Sequence, residues 1–105
     1  MTVERAKKMY MPMTETMYYI LLSLIEPQHG YGIMRHVERI TNGRIRLGAG
    51  TVYNSLGKLQ ADNLIELIAE SDRRKIYLIT EAGQGLIEAE LKRLEELSAN
   101  GRQAM

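Results

Sequence analysis

Between Leu64 and Ile79 the chain holds two stretches of strand-like character, Leu64-Ile65-Glu66-Leu67-Ile68-Ala69 and Lys75-Ile76-Tyr77-Leu78-Ile79. The polar run Glu70-Ser71-Asp72-Arg73-Arg74 separates them. This pattern predicts two β-strands, about 64–69 and 75–79, joined by a hairpin with a basic tip. Apart from a short alternating segment, Arg44-Ile45-Arg46-Leu47, the remaining apolar positions recur at helical spacing. The fold class that follows is mainly α with a small β-hairpin (α+β).

At 105 residues and 45% hydrophobic content, the chain is sized for one compact domain. A charged fraction of 26% and only 2 Pro argue against a disordered tail. No apolar run approaches the roughly 18 residues of a membrane span. Glu4, Arg5, Lys7 and Lys8 interrupt the first residues, where a signal peptide would be apolar. A cytoplasmic location without membrane contact is expected. With no Cys, thiolate metal sites and thiol catalysis are excluded, and His29 and His36 are the only imidazoles. No nucleophile, base and orienting group can be assembled from this inventory. Neither an enzyme nor a cofactor is expected.

The formal charge of +1 conceals a partition along the chain. Residues 1–53 carry seven Lys or Arg (5, 7, 8, 35, 39, 44, 46) against four Glu, whereas residues 80–105 carry three bases against five acids. A basic front and an acidic rear suit a polyanion-binding face backed by a soluble or self-associating end.

Thr14 is placed to cap a largely apolar helix over about 14–25, which Pro27 is expected to end. A second helix is expected over about 31–41, closed by Asn42-Gly43. Its apolar side would contain Tyr31, Met34 and Val37, with Ile33 and Ile40 as further candidates, and Tyr31 packed against the first helix. In a third helix, about 49–62, Val52, Leu56 and Leu59 form one buried stripe. Its opposite face, Gly50, Asn54, Gly57, Lys58 and Ala61 with Thr51 on the rim, combines small residues with hydrogen-bond donors. Glycine inside a helix costs up to about 1 kcal/mol relative to Ala. Close approach of a bulky partner would explain Gly50 and Gly57. A last helix is expected over about 80–99, capped by Thr80, with Ile87, Leu91, Leu94 and Ser98 on an apolar face that a second copy of the chain could cover. Residues 100–105 are expected to fray.

This order of elements is that of a winged helix-turn-helix over residues 1–80, followed by a dimerisation helix over 80–99. The third helix would enter the major groove of double-stranded DNA and the hairpin would lie on the adjacent backbone. The residues assigned to DNA are Gly50, Thr51, Tyr53, Asn54 and Lys58 on the helix and Arg73, Arg74 and Lys75 on the hairpin. The Tyr53 hydroxyl has either an internal partner or a phosphate to satisfy. Because fold alone does not fix function, a winged-helix module that binds protein without specific DNA binding is the alternative.

Five ordered motifs sharpen the picture: His29-Gly30-Tyr31-Gly32-Ile33, Gly50-Thr51-Val52-Tyr53-Asn54-Ser55-Leu56-Gly57-Lys58-Leu59, Leu64-Ile65, Arg73-Arg74-Lys75-Ile76-Tyr77 and Ile79-Thr80-Glu81-Ala82-Gly83. Over roughly residues 13–97 the chain resembles the PadR family of transcriptional regulators, in its short form. That resemblance implies a dimeric repressor on a palindromic operator, released by a small phenolic or hydrophobic effector or another stress signal. It also implies Thr51, Tyr53, Asn54 and Lys58 as recognition-helix positions, residues 73–75 as wing, and the first and last helices as dimer contacts. Some drug-sensing relatives place a tryptophan on the last helix, and this chain has neither Trp nor Phe.

The candidate effector or dimer cavity is Met13, Met17, Tyr18, Leu91 and Leu94, although methionines also fill ordinary cores. His29 is expected to cap or pack rather than to bind metal. Arg5, Lys7 and Lys8 read either as an arm grazing DNA or as a soluble N-terminus.

Overall fold

A computed structural model describes residues 1–105. In chain order the elements are α1 (Val3–Tyr10), α2 (Glu15–Leu22), α3 (Gly30–Ile40), α4 (Ala49–Ala61), β1 (Ile65–Ser71), β2 (Arg74–Ile79) and α5 (Glu81–Ala104). The two strands form one antiparallel sheet. No helix is long and apolar enough to cross a membrane.

The first element was not expected. Thr2 caps α1 by accepting from the Arg5 N–H, Glu4 stands in its first turn and Lys7 and Lys8 in its last, in accord with the helix dipole. Ala6 and Tyr10 are buried, and α1 lies close against α5: a Cβ on Gly85 would come 2.5 Å from a Val3 methyl. Arg5, Lys7 and Lys8 therefore belong to a packed helix rather than a loose arm.

Thr14 caps α2 as expected, accepting from the Met17 N–H at 3.1 Å. The helix stops at Leu22 instead of about 25. Ser23 bonds back to the Tyr19 carbonyl at 2.7 Å, and the Leu24 and Ile25 N–H groups reach only three residues back, which tightens the chain into a turn before Pro27. Beyond α3, Asn42 and Gly43 both take positive φ, and the Gly43 N–H donates to the Glu38 carbonyl at 2.8 Å. This six-residue closure is the glycine stop read from the sequence.

Both strands reach further into the polar run than expected, leaving Asp72 and Arg73 as the whole turn. Their φ values of 50° and 65° and the pairing of Ser71 with Arg74 define a two-residue type I′ turn. At Gln28 the segment preceding α3 adds a short bridge to β2: Gln28 donates to the Tyr77 carbonyl at 3.0 Å and accepts from its N–H at 2.9 Å. The Ile79 N–H also donates to the Leu24 carbonyl at 2.8 Å. The hairpin is thereby stitched to the start of α3.

One core joins the elements. Ile20, Leu21 and Leu24, Ile33 and Val37, the Val52-Leu56-Leu59 stripe of α4, Leu64, Ile65 and Ile79 from the hairpin, and Leu86 and Ile87 of α5 all meet in it. The broad apolar face of α5 divides: Leu86 and Ile87 point into the core, whereas Leu91, Leu94 and Leu97 remain 45%, 38% and 52% exposed. Residues 100–104, expected as a frayed tail, are helical. The helix continues to Ala104, with the Met105 N–H bonded to the Gly101 carbonyl at 3.2 Å, because no proline or competing cap interrupts the backbone ladder there. Its 24 residues make a rod about 36 Å long.

Candidate nucleic-acid interface

On α4 the stripe Val52, Leu56 and Leu59 faces the core, so Gly50, Thr51, Tyr53, Asn54, Gly57 and Lys58 turn to solvent. Nothing stands within 4 Å of where a Cβ would lie on Gly50 or Gly57, so both leave open surface for a close partner. The Gly48 cap supplies no side-chain acceptor, and Gly48, Ala49 and Gly50 at the start of α4 are all exposed.

Tyr53 is 58% exposed, yet its position is built. A Cβ on Gly30 would lie 2.8 Å from its ring, so the absence of a side chain at Gly30 lets the Tyr53 phenol lie across the start of α3. Tyr31, expected in the core, is instead 53% exposed. Gly30, Ile33 and Val37 occupy the inward side of α3, which turns Tyr31 outward on the same face as Arg35. The Arg35 guanidinium sits 5.8 Å from the Tyr31 ring centre.

Arg73, Arg74 and Lys75 are exposed at the hairpin tip. A cavity of about 570 Å³ joins them to Tyr53, Gly57 and Gln60 of α4 and to His29 and Tyr31, and none of its 11 lining residues is acidic. Arg73 carries the second positive φ of the turn, a conformation costing an L-residue about 1–2 kcal/mol.

His29 links the hairpin to α3. Its Nδ1 caps α3 by accepting from the Gly32 N–H at 3.1 Å, while its Nε2 lies 3.4 Å from Arg74 Nη1. One neutral imidazole cannot accept at both nitrogens, so the cap leaves the proton on Nε2 and Arg74 without an acceptor there. Burial, and then the charge of Arg74, hold the imidazole pKa below its usual value. His36 is lowered as well, by burial and then Arg39, and its Nδ1 lies 2.8 Å from the Ser23 hydroxyl. No group of three metal-ligating side chains occurs anywhere in the chain.

Lys58 stands apart from the tip cations. Its ammonium lies 3.3 Å from Asp62 and 4.8 Å from the centre of the Tyr10 ring. Asp62 also accepts from the Tyr10 hydroxyl at 2.6 Å, which, with Lys58, holds the carboxyl below its ordinary range. Burial and then Asp62 push the Tyr10 hydroxyl up. Lys58 itself is exposed, whereas Asp62 is partly buried beneath it.

Of the residues assigned to an effector, Met13, Met17 and Tyr18 lean against the core from the side of α2, while Leu91 and Leu94 are exposed on α5. Burial, with smaller contributions from Tyr19 and Glu90, raises the Tyr18 hydroxyl pKa. Glu90 was not anticipated. It is 1% exposed on α5, paired with Arg93 and accepting from the Met13 N–H, so it pins the linker between α1 and α2 to α5. The sequence signal was a carboxylate three residues after Ile87 on the apolar face. Arg35 and Arg39, counted in the sequence only as part of the basic front, form with Tyr31 an i, i+4, i+8 row on α3.

Residues 20–89 match the family model for the transcriptional regulator PadR-like family. A 37.1 kDa protein of transposon TN4556 from Streptomyces fradiae is 35% identical over 72 residues, covering 69% of this chain and 20% of that protein. The transcriptional regulator YqjI of Escherichia coli is 29% identical over 70 residues, covering 67% of this chain and 34% of that protein. This chain therefore spans only a fraction of the length of these relatives. Among solved structures, a PadR-like transcriptional regulator from Bacillus cereus superposes with a TM-score of 0.70 at 22% identity, over 85% of this chain and 89% of that one. The family model, matched over more than half of the chain, shows that this chain belongs to the PadR-like family of transcriptional regulators.

Proposed function

We propose that this chain is a DNA-binding repressor that acts as a homodimer on a palindromic operator, with α4 in the major groove and the β1–β2 hairpin on the adjacent backbone. The observation that carries the reading is the shared cavity between α4 and the hairpin, where Tyr53 and Gly57 stand beside Arg73, Arg74 and Lys75 with no carboxylate among the lining residues. Thr51 and Asn54 read base edges, and Tyr53, Lys58 and the hairpin cations meet phosphates.

Two features support self-association. Leu91, Leu94 and Leu97 form an exposed row on α5. The accessible surface of 6902 Å² also exceeds the roughly 6,000 Å² of a compact monomer of 12.0 kDa. The excess is comparable to the roughly 800 Å² that each partner contributes to a standard interface. A small hydrophobic or phenolic effector would act beside this seam, where the Met13 N–H and Tyr18 lie near Glu90 of α5.

The test is binding to duplex DNA as a function of salt, with oligomeric state measured in parallel. The logarithm of affinity is expected to fall linearly with the logarithm of salt, at about −0.9 per neutralised phosphate, and the two half-sites to lie about 34–36 Å apart. A flat salt response would remove DNA as the partner and point to a protein-binding module.

A further inference from the structure

We propose that the DNA-binding surface extends past the hairpin onto α3, where Tyr31, Arg35 and Arg39 hold a backbone phosphate outside the groove entered by α4. This rests on the DNA-binding reading above and adds a contact region to it. In a helix-turn-helix the first helix crosses the DNA backbone, and here that helix is α3.

A second cavity, of about 290 Å³, is lined by His29, Tyr31, Arg35, Arg39 and Arg74 with two uncharged neighbours, and again by no acid. It shares His29, Tyr31 and Arg74 with the larger cavity between α4 and the hairpin, so the two form one trough. Distribution of ion pairs gives the trough its sign. Carboxylates engage Lys7, Arg44, Arg46, Lys58 and Arg93, whereas Arg35, Arg39, Arg73, Arg74 and Lys75 have no carboxylate partner. Even Glu38, on the same helix as Arg35 and Arg39, is occupied by Arg46 at 2.9 Å. The unpaired cations of the central part of the chain thus fall on α3 and the hairpin tip.

Geometry inside the trough favours a phosphodiester oxygen. The Tyr31 ring under Arg35 orients a planar guanidinium fork, which suits bidentate contact with phosphate. Because the α3 cap occupies Nδ1 of His29, Arg74 has no acceptor at that imidazole and is available to the same anion. Half-exposed Tyr31 contributes a hydroxyl at the rim.

The experiment uses the full chain and a random-sequence duplex of about 40 base pairs, since phosphate contacts are independent of sequence. Affinity is measured across a salt series for the wild type, R35A/R39A and R35K/R39K, with circular dichroism to confirm folding. R35A/R39A is expected to bind about tenfold more weakly near 0.1 M salt, with a slope shallower by about 1 to 2. The Lys variant, which keeps the charges, should recover most of the slope. If the wild type shows a steep slope and R35A/R39A coincides with it, the extension onto α3 is overturned while DNA binding stands. If the wild type binds no duplex, both readings fall together. Competition of wild-type binding by millimolar inorganic phosphate at constant ionic strength, lost in R35A/R39A, would assign the trough to a free phosphate ligand and overturn its placement on DNA.

Discussion

Helices α4 and α5 each keep one face away from the core, and the two faces differ in kind. On α4 that face is Gly50, Thr51, Asn54 and Gly57, short side chains and open space, flanked by Tyr53 and Lys58. On α5 it is Leu91, Leu94 and Leu97, apolar bulk in water. Stability of the single chain explains neither. Small polar residues admit a large partner with hydrogen-bonding edges, whereas a leucine row wants another apolar surface. The contrast separates two kinds of recognition on one small unit, and each can be broken without touching the other.

The largest effect is expected from Leu91→Glu combined with Leu94→Glu. Placing two charges in an apolar seam should weaken self-association more than about a thousandfold and leave a folded monomer in sedimentation, with the salt response of each protomer unchanged. Retained dimers would remove α5 as the pairing element. Next comes Arg73→Ala with Arg74→Ala and Lys75→Ala, expected to lower duplex affinity about a hundredfold near 0.1 M salt, uniformly across sequences, and to flatten the salt slope without altering assembly. Asn54→Ala should instead change sequence preference, by about 1–3 kcal/mol at one base pair. Equal loss on every sequence would deny Asn54 a base contact.

Gly30→Ala sharpens the comparison on the α4 side. The new methyl would meet the Tyr53 ring, which is exposed and can swing away, so stability should change by no more than about 1 kcal/mol while affinity falls a few-fold. A large drop in Tm with unaltered affinity would make Tyr53 a packing residue only. The smallest effect concerns acid. Because the folded chain holds His29 and His36 below the ordinary histidine pKa, their contribution is complete above about pH 6.5 and is lost as pH falls below it. His29→Asn keeps an acceptor at the cap and should reduce the Tm decline between about pH 7 and 5.5 by a few degrees. An identical decline would place the titration elsewhere.

Much of this was readable because local rules and tertiary structure agree. The Val52-Leu56-Leu59 stripe, the Thr14 and Thr80 caps and the Asn42-Gly43 stop each follow from spacing or backbone chemistry, and each is found in place. Failures occurred where the deciding contact is distant in sequence. Helix α1 is only eight residues with a single bulky buried side chain, Tyr10, and what keeps it is α5, about eighty residues away. Helical spacing groups Tyr31 with Met34 and Val37, but Gly30, Ile33 and Val37 fill the inward side of α3 and leave Tyr31 outside. Free and paired arginines are indistinguishable in the sequence: Arg44 and Arg46 find Glu15 and Glu38, while Arg35 and Arg39 find none.

The bridge from Gln28 to Tyr77 ties the wing to the chain entering α3, and α3 packs on α4. Hairpin and α4 are thereby tied together through α3. If two copies pair on DNA as proposed, a signal would act on the gap between them, where a change of a few ångströms would put the paired units out of step with the turn of the double helix.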